Sequence, residues 1–212
     1  GGWTEYTIDS SFEEAWYVRA ADIDEDGDID VVAAGKGSGG TTGKIKWYVN
    51  DGSPDNDDWA AVNIDGNIDD AMCVRIVDMD LDGDLDVLGS AAGSSDLIAW
   101  WENDGNSEPS WSANYIPHNL DTGSNNGAHF VHVADMDGDG DMDILASFYY
   151  INKVVWFEND GSADPTFTVG GEIETEQGRP QSIFAADMDG DGDMDFLLGS
   201  HHSINSGNSD KI

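Results

Sequence analysis

A nine-residue acidic pattern, Asp-x-Asp-x-Asp-Gly-Asp-x-Asp, occurs four times and constrains the fold of this chain more than any other feature. The copies read DIDEDGDID, DMDLDGDLD, DMDGDGDMD and DMDGDGDMD, and they span residues 22–30 (loop 1), 78–86 (loop 2), 135–143 (loop 3) and 187–195 (loop 4). Carboxylates this close repel one another unless a positive charge lies among them. Glycine at the sixth position of every copy permits a sharp bend. We therefore interpret each copy as a cation-binding loop.

Calcium is the cation that suits these oxygen donors. Ca²⁺ takes about six to eight oxygen ligands in flexible geometry, Mg²⁺ requires a small rigid octahedron, and Zn²⁺ prefers nitrogen or sulfur. In loop 1 we expect Asp22, Asp24 and Asp26 to turn their carboxylates inward. Asp28 then offers its backbone carbonyl and Asp30 closes the site. The equivalent ligands in the other loops are Asp78, Asp80, Asp82, Asp84 and Asp86; Asp135, Asp137, Asp139, Asp141 and Asp143; and Asp187, Asp189, Asp191, Asp193 and Asp195. The chain would thus bind about four Ca²⁺ ions.

The helix-loop-helix calcium hand shares the start of this loop but not its end. Its twelve-residue loop closes with a bidentate Glu. The twelfth positions here are Ala33, Gly89, Ala146 and Leu198, and strand-like apolar runs flank each loop. The sequence therefore excludes the calcium hand.

The spacing of the loops indicates a repeat architecture. Their first residues are 56, 57 and 52 positions apart, and periods of this size are typical of propellers and related arrays. Short apolar runs precede and follow each loop, a third run ends in the hairpin sequence Asn-Asp-Gly, and a fourth run opens on an aromatic residue. We predict an all-β fold, a β-propeller built of four-stranded antiparallel blades with about four repeats of 52–57 residues.

The predicted domain covers residues 1–212, with repeats at roughly 9–64, 65–120, 121–173 and 174–212. The last repeat lacks its Asn-Asp-Gly segment, while an orphan strand is predicted at residues 3–8. This strand is expected to complete the last blade or to pair with another copy by strand exchange. The start at Gly1-Gly2 without Met predicts a processed or excised part of something longer, and the missing segment favours part of a larger propeller or an assembly element over a complete ring.

The first strand of each repeat carries aligned positions that bear on other sites. Its third residue is aliphatic in every repeat: Val18, Val74, Val131 and Ile183. The next residue varies: Arg19, Arg75, His132 and Phe184. The candidates for chemistry outside the loops are His118, His129, His132, His201, His202, Arg75 and Arg179.

Trp100 and Trp101 are the candidate ligand-binding aromatics. Adjacent residues of a strand point to opposite sides of the sheet. We therefore expect one of the two rings to be exposed and available to a glycan.

Composition excludes several partners. The chain has 44 acidic against 8 basic residues and a net charge of −36, which disfavours nucleic acid and anionic membrane surfaces. No apolar run is long enough for membrane insertion. The single cysteine, Cys73, precludes an intrachain disulfide, and we expect it to pack as a small apolar residue.

The loops between strands, followed by Trp-x-x-Asn-Asp-Gly strands, resemble the FG-GAP/VCBS repeat family, whose relatives include the integrin α-subunit propellers. The resemblance implies a calcium-binding β-propeller, most often seven-bladed, on secreted or cell-surface proteins. The Phe-Gly and Gly-Ala-Pro signatures of the family are absent. This places the chain nearer the bacterial VCBS-like branch.

Three functions follow as hypotheses. The first is a non-enzymatic extracellular module for adhesion or assembly, in which Ca²⁺ is a structural staple and the partners are other proteins or copies of itself. The second is a carbohydrate-binding propeller, or the propeller of a polysaccharide-degrading enzyme such as a lyase. The third is a subunit of an extracellular filament assembled through residues 3–8.

Overall fold

The computed structural model describes residues 2, 4–38, 42–53, 59–94, 96–106, 108–116, 126–175 and 178–201. Within these ranges the regular structure consists of strands alone. The strands are β1 Ala15–Ala21, β2 Asp30–Gly35, β3 Gly43–Val49, β4 Ala60–Ile68, β5 Ala71–Val77, β6 Asp86–Ala91, β7 Leu97–Asn103, β8 Trp111–Tyr115, β9 Ala128–Ala134, β10 Asp143–Phe148, β11 Lys153–Asn159, β12 Phe167–Glu174, β13 Arg179–Ala186 and β14 Asp195–His201. Across the described ranges, no helix has the length and apolarity needed to span a membrane.

The strands form consecutive antiparallel sheets, one for each repeat. Blade 1 has the order β1-β2-β3-β4, blade 2 β5-β6-β7-β8 and blade 3 β9-β10-β11-β12, while the described part of blade 4 is the pair β13-β14. The all-β prediction and the four-stranded antiparallel blade are thus confirmed. Each acidic loop joins the first strand of a blade to the second, because the ladder pairs the residue before the loop with the last residue of the loop, as in Ala21 with Asp30.

The core lies between neighbouring blades. One cluster joins Ile45 and Trp47 of blade 1 to Val74 and Trp101 of blade 2. A second cluster joins blade 2 to blade 3, and a third joins blade 3 to blade 4. Because residues alternate along a strand, each inner blade supplies one set of side chains to each neighbour. Each large apolar side chain buried in this way contributes roughly 1.5–3 kcal/mol.

The expectation that Trp100 or Trp101 is exposed is wrong. The two rings do point to opposite faces of blade 2, since Trp100 packs in the cluster with blade 3 and Trp101 in the cluster with blade 1. Both faces are covered by a neighbouring blade, so each residue is only 1% exposed. Neither ring can stack on a glycan.

Cys73 packs as expected. Its side chain is fully buried in the cluster between blades 2 and 3, and burial raises the pKa of the thiol. A buried thiol with a raised pKa is a poor nucleophile.

Asp9 and Phe12, in the segment before β1, lie against the outer face of blade 1. Within the described part of this segment, residues 4–8 carry no strand assignment. Asp9 accepts hydrogen bonds from the Tyr48 hydroxyl at 2.9 Å and from Lys46 Nζ at 3.2 Å, and the Phe12 ring meets Tyr48 edge-on at 6.1 Å. Trp3 and residues 202–212 lie outside the described ranges, so completion of the last blade by strand 3–8 stays a prediction.

Candidate metal centres

Three carboxylates converge in each of the four loops. In loop 1 they belong to Asp22, Asp24 and Asp26, and in each group one oxygen from every residue lies within 4.8 Å of the others. The remaining groups are Asp78, Asp80 and Asp86; Asp135, Asp137 and Asp143; and Asp187, Asp189 and Asp195. The first and third aspartates of the pattern therefore meet in every loop. The ninth completes the group in three loops and the fifth completes it in loop 1.

Several of these oxygens are buried and have no hydrogen-bond donor. They are Oδ1 of Asp22, Oδ1 of Asp24 and Oδ1 of Asp78. A buried acceptor without a partner costs about 1–3 kcal/mol, and more when it carries charge. A hard cation among the carboxylates would satisfy these oxygens, so the side chains present fit a divalent metal ion with oxygen ligands.

The loop backbone holds the first aspartate in place. Its Oδ2 accepts the N–H of the sixth-position glycine at 3.1 Å in every loop, as in Gly83 to Asp78. The N–H of the seventh residue donates to the fifth aspartate at 2.9–3.0 Å. These bonds fix the shape of the loop. In loops 1 and 2 they leave Oδ1 of the first aspartate without a donor, whereas in loops 3 and 4 that oxygen accepts the N–H of the fourth-position glycine at 2.7 Å.

The ninth aspartate joins the loop to the sheet. In loop 2, Oδ2 of Asp86 accepts the N–H of Met79 at 3.0 Å and Oδ1 accepts the N–H of Asn103 at 2.9 Å. Asp30 and Asp143 make the same pair of bonds. The sequence predicted this residue only as the ligand that closes the site. The structure shows that it also ties the start of the loop to the third strand of its blade.

Burial gives the acidic loops unusual proton affinity. It raises the pKa of Asp86 to about 7, against the opposing effect of the two backbone N–H groups. Burial also raises the pKa of Asp80, and it raises that of Asp24 with the help of the neighbouring charges of Asp30 and Asp26. Without a cation, the folded loops therefore hold negative charge at a cost in free energy.

An asparagine at the end of the third strand belongs to the centre, although sequence reasoning assigned it only to a turn. Besides meeting the ninth aspartate, Asn103 donates through Nδ2 to the carbonyls of Leu85 at 3.2 Å and Ile23, in the loop of the preceding blade, at 3.5 Å. Asn159 likewise reaches Met79 at 3.4 Å. The sequence signal for this role was the Asn that recurs in each Asn-Asp-Gly segment. It links loop 1 to loop 2 and loop 2 to loop 3.

The hairpin glycine makes room for the seventh aspartate. Gly52 has a φ of +78°, and a Cβ on it would lie 2.8 Å from Oδ2 of Asp28. Asp84 and Asp141 lie against Gly105 and Gly161 in the same manner. The backbone-carbonyl role expected of Asp28, Asp84, Asp141 and Asp193 stays a prediction.

Among the residues singled out beyond the loops, His129 and Arg179 meet at Tyr149, while Arg75 and His132 line a common cavity. His129 stacks on Tyr149 at 5.4 Å between ring centres, and Arg179 donates to the hydroxyl of the same Tyr149. His132 contacts Phe184 at 5.0 Å. His118 and His202 lie outside the described residues.

The fourth loop position adopts a left-handed backbone whatever residue occupies it. It is glycine in loops 3 and 4, where Gly138 and Gly190 have φ of +80° and +79°. In loops 1 and 2 it is Glu25 and Leu81, both with φ of +59°. A residue with a Cβ is strained there by roughly 1 kcal/mol.

We expect Leu81→Gly to raise the free energy of unfolding by about 0.5–1 kcal/mol, because it removes this strain from a side chain that is 56% exposed. The reciprocal variant, Gly138→Leu, should lower it by about 1 kcal/mol. Urea denaturation in saturating Ca²⁺ measures both. A loss of stability in Leu81→Gly would show that the leucine contributes packing that outweighs the strain.

Comparison with protein families gives a direct match. The model of the FG-GAP-like repeat matches three overlapping segments, residues 22–89, 78–146 and 135–198. Each segment begins at the first aspartate of one loop. It ends eleven residues after the first aspartate of the next loop, so the matched unit spans two consecutive loops and the strands between them. Together the segments cover most of the 212 residues. A search of curated proteins gave no significant match.

Proposed function

The chain belongs to the FG-GAP-like repeat family, and we propose that it is a non-enzymatic extracellular module in which Ca²⁺ acts as a structural staple and whose blades mediate adhesion or assembly. The convergence of three carboxylates at the same point of four loops carries the calcium proposal. The placement on the VCBS-like branch stays a prediction.

Calcium would stabilise each blade by binding the three carboxylates of its acidic loop together. Each triad lies where the first strand of a blade turns into the second, and the ninth aspartate connects that turn to the third strand. A cation held there neutralises carboxylates that otherwise repel one another. Four ions would change the formal net charge from −36 to −28, which reduces repulsion across the whole chain.

An extracellular setting agrees with the exposure of the sites. All three carboxylates of loop 4 are exposed, and Asp26 and Asp137 are exposed in loops 1 and 3. Extracellular calcium-binding modules bind Ca²⁺ with dissociation constants of about 10⁻⁴–10⁻³ M. Calcium at that concentration is available outside cells.

A non-enzymatic role is supported by what the histidines do. His129 and His132 pack against aromatic rings. Burial lowers the pKa of both imidazoles.

Assembly is supported by two blade faces that, among the described residues, are covered in the inner blades and partly open at the outer ones, where Asp9 and Phe12 cover Tyr48 of blade 1 but leave Val18 exposed. Val18 on blade 1 is 56% exposed, whereas its equivalents Val74 and Val131 are fully buried under the preceding blade. On the opposite side, Leu197 of blade 4 is 45% exposed, although its equivalents Leu88 and Leu145 are buried.

The two open faces are complementary, because they correspond to the two sides of one blade–blade contact. A second copy of the chain can therefore dock its blade 1 on blade 4 of the first. Such a head-to-tail contact generates a ring or a filament. The proposed occupant of each face is a copy of this chain.

Val18→Asp is expected to weaken this self-association roughly tenfold or more, since it would bury a charge in the contact. Val169→Asp is the matched control, because Val169 is 48% exposed on the outermost strand of blade 3, away from both faces. Light scattering over a concentration series, in Ca²⁺ and at physiological salt, measures the mass. A wild-type chain that stays monomeric throughout, or equal weakening by both variants, would contradict the assembly proposal.

A further inference from the structure

The first strands of the four blades enclose a cavity of about 620 Å³. Tyr17 and Arg19 of β1, Arg75 of β5, and Phe130 and His132 of β9 line it. Phe184 of β13 closes the side toward blade 4. The cavity is thus built from the aligned variable position of each first strand and is separate from the acidic loops.

Positive charge is concentrated at this cavity in a chain that has very little of it. Only 8 residues are basic against 44 acidic, yet two arginines face one cavity. The ion pairs found among the described residues join Lys46 to Asp9 and Lys153 to Glu172. Within the same residues, neither Arg19 nor Arg75 has a carboxylate partner.

Tyr17 lies between the two arginines and orients both of them. Arg75 Nη1 donates to the Tyr17 hydroxyl at 3.0 Å and to the carbonyl of Val74 at 2.9 Å. Arg19 Nη2 donates to the same hydroxyl at 2.5 Å. Each guanidinium also lies over a ring, Arg75 over Phe130 and Arg19 over Tyr17, both at 4.5 Å from the ring centre. The two cations are therefore held in place before any ligand arrives.

The hydrogen bonds of Arg75 leave part of its guanidinium available. All of them use Nη1, which also contacts Cys73 Sγ at 3.2 Å. Nε and Nη2 have no acceptor among the described residues. A planar guanidinium with two free donors matches the two oxygens of a carboxylate.

We propose that this cavity binds a small organic carboxylate, with Arg75 and Arg19 pairing with the carboxylate and the rings of Phe130 and Phe184 covering the apolar body. A monovalent anion suits the site because the acidic chain around it disfavours a multiply charged one. The ligand should also have an apolar part, because aromatic rings line the cavity beside the arginines. The volume admits a molecule of a few rings at most.

The neighbouring histidine agrees with this electrostatic assignment. Burial, together with the charges of Arg75 and Arg19, lowers the pKa of His132. Its imidazole is therefore neutral at pH 7 and adds no third positive charge to the cavity. This inference is independent of adhesion and assembly.

Calorimetric titration of the calcium-saturated chain with phenylacetate tests the proposal. Phenylacetamide is the uncharged counterpart of this probe, and inorganic phosphate tests for a site that takes any anion. Phenylacetate should bind saturably, and Arg75→Gln should weaken it about tenfold to a hundredfold. Arg75→Lys should bind phenylacetate more tightly than Arg75→Gln but less tightly than the wild type, because lysine keeps the charge and lacks the planar pair of donors.

Arg179→Gln is the matched control, since Arg179 also stacks on a tyrosine, Tyr149, but lies outside the cavity. It should leave binding unchanged. Arg19→Gln is a second test, which keeps the proposal falsifiable if Arg75→Gln fails to fold. Absence of saturable phenylacetate binding, equal binding of phenylacetamide, or affinity unchanged in both cavity variants would overturn the proposal. Phosphate binding as tight as phenylacetate would overturn the assignment of the ligand as a carboxylate.

Discussion

Chelation of calcium with excess EDTA is expected to lower the melting temperature of this protein by roughly 20 °C or more. At free Ca²⁺ about 100-fold above the dissociation constant, each site adds about 2.7 kcal/mol of stability, which gives about 10 kcal/mol for four sites. That sum is comparable to the whole stability of an ordinary domain. The reason is that the unfolded chain has no preformed site, so the free energy of binding becomes free energy of folding. Calorimetry in EDTA and in Ca²⁺ at about 100-fold above the dissociation constant measures the difference.

Removing a single site should have about a quarter of this effect. Asp78→Asn combined with Asp80→Asn deletes two of the three carboxylates of loop 2. We expect a loss of about 2–3 kcal/mol in Ca²⁺ and little change in EDTA. Asp164→Asn, in an exposed turn outside the loops, is the control for the loss of a negative charge. An identical melting temperature with and without EDTA would show that the loops are not staples.

The blade and the acidic triads were predictable because both depend on local sequence patterns. Period-two strands, the Asn-Asp-Gly turn and the loop pattern each depend on residues close along the chain. The first and third aspartates lie two residues apart, so their convergence follows from the loop itself. Repetition of the same local pattern then gives the number of blades.

The exposure of a side chain was not predictable in the same way, because it depends on the neighbouring blade. Alternation correctly places Trp100 and Trp101 on opposite faces. It contains no information on whether a face is covered, and blade 2 is covered on both sides. The same reason separates Val18 from Val74, which occupy equivalent positions with opposite burial.

The structural role of the ninth aspartate, which ties the loop to the third strand, could not be predicted from the sequence either. Asp86 and Asn103 are 17 residues apart, and their hydrogen bond exists only once the third strand pairs with the second. A carboxylate in a calcium-type motif is naturally interpreted as a ligand. Only the folded sheet shows that this one also holds the hairpin, and that burial there changes its acidity.

That buried carboxylate makes an unusual pH dependence the second large expected effect. The metal-free protein should become more stable as the pH falls from 8 to 5.5, by about 2 kcal/mol from Asp86 alone. The pKa of Asp86 is about 7 in the folded chain against an ordinary value of 3.8. Its contribution is therefore fully present below pH 3.8, declines as the pH rises, and is lost above about pH 7.

The other carboxyl groups act in the same direction or not at all, whereas His129 and His132, whose pKa values burial lowers, oppose them as the pH falls through the ordinary histidine pKa of 6.5. Burial raises the pKa of Asp30 and of Asp143, so both add to the stabilisation by acid. A side-chain hydrogen bond from Ser110 lowers the pKa of Asp104 to about 2. The stability from Asp104 is lost only below its ordinary pKa of 3.8, outside the range measured.

Calcium should reverse the slope. Its carboxylate ligands must be ionised, so protons compete with the metal and acid weakens binding. Chemical denaturation at pH 5.5 and pH 8, each in EDTA and in saturating Ca²⁺, measures the two slopes. Asp86→Asn should flatten the metal-free slope by about 2 kcal/mol over this range, whereas Asp164→Asn should leave it unchanged. A metal-free slope that is the same in wild type and in Asp86→Asn would show that this aspartate is ionised in the empty loop, and that its two backbone N–H groups outweigh burial.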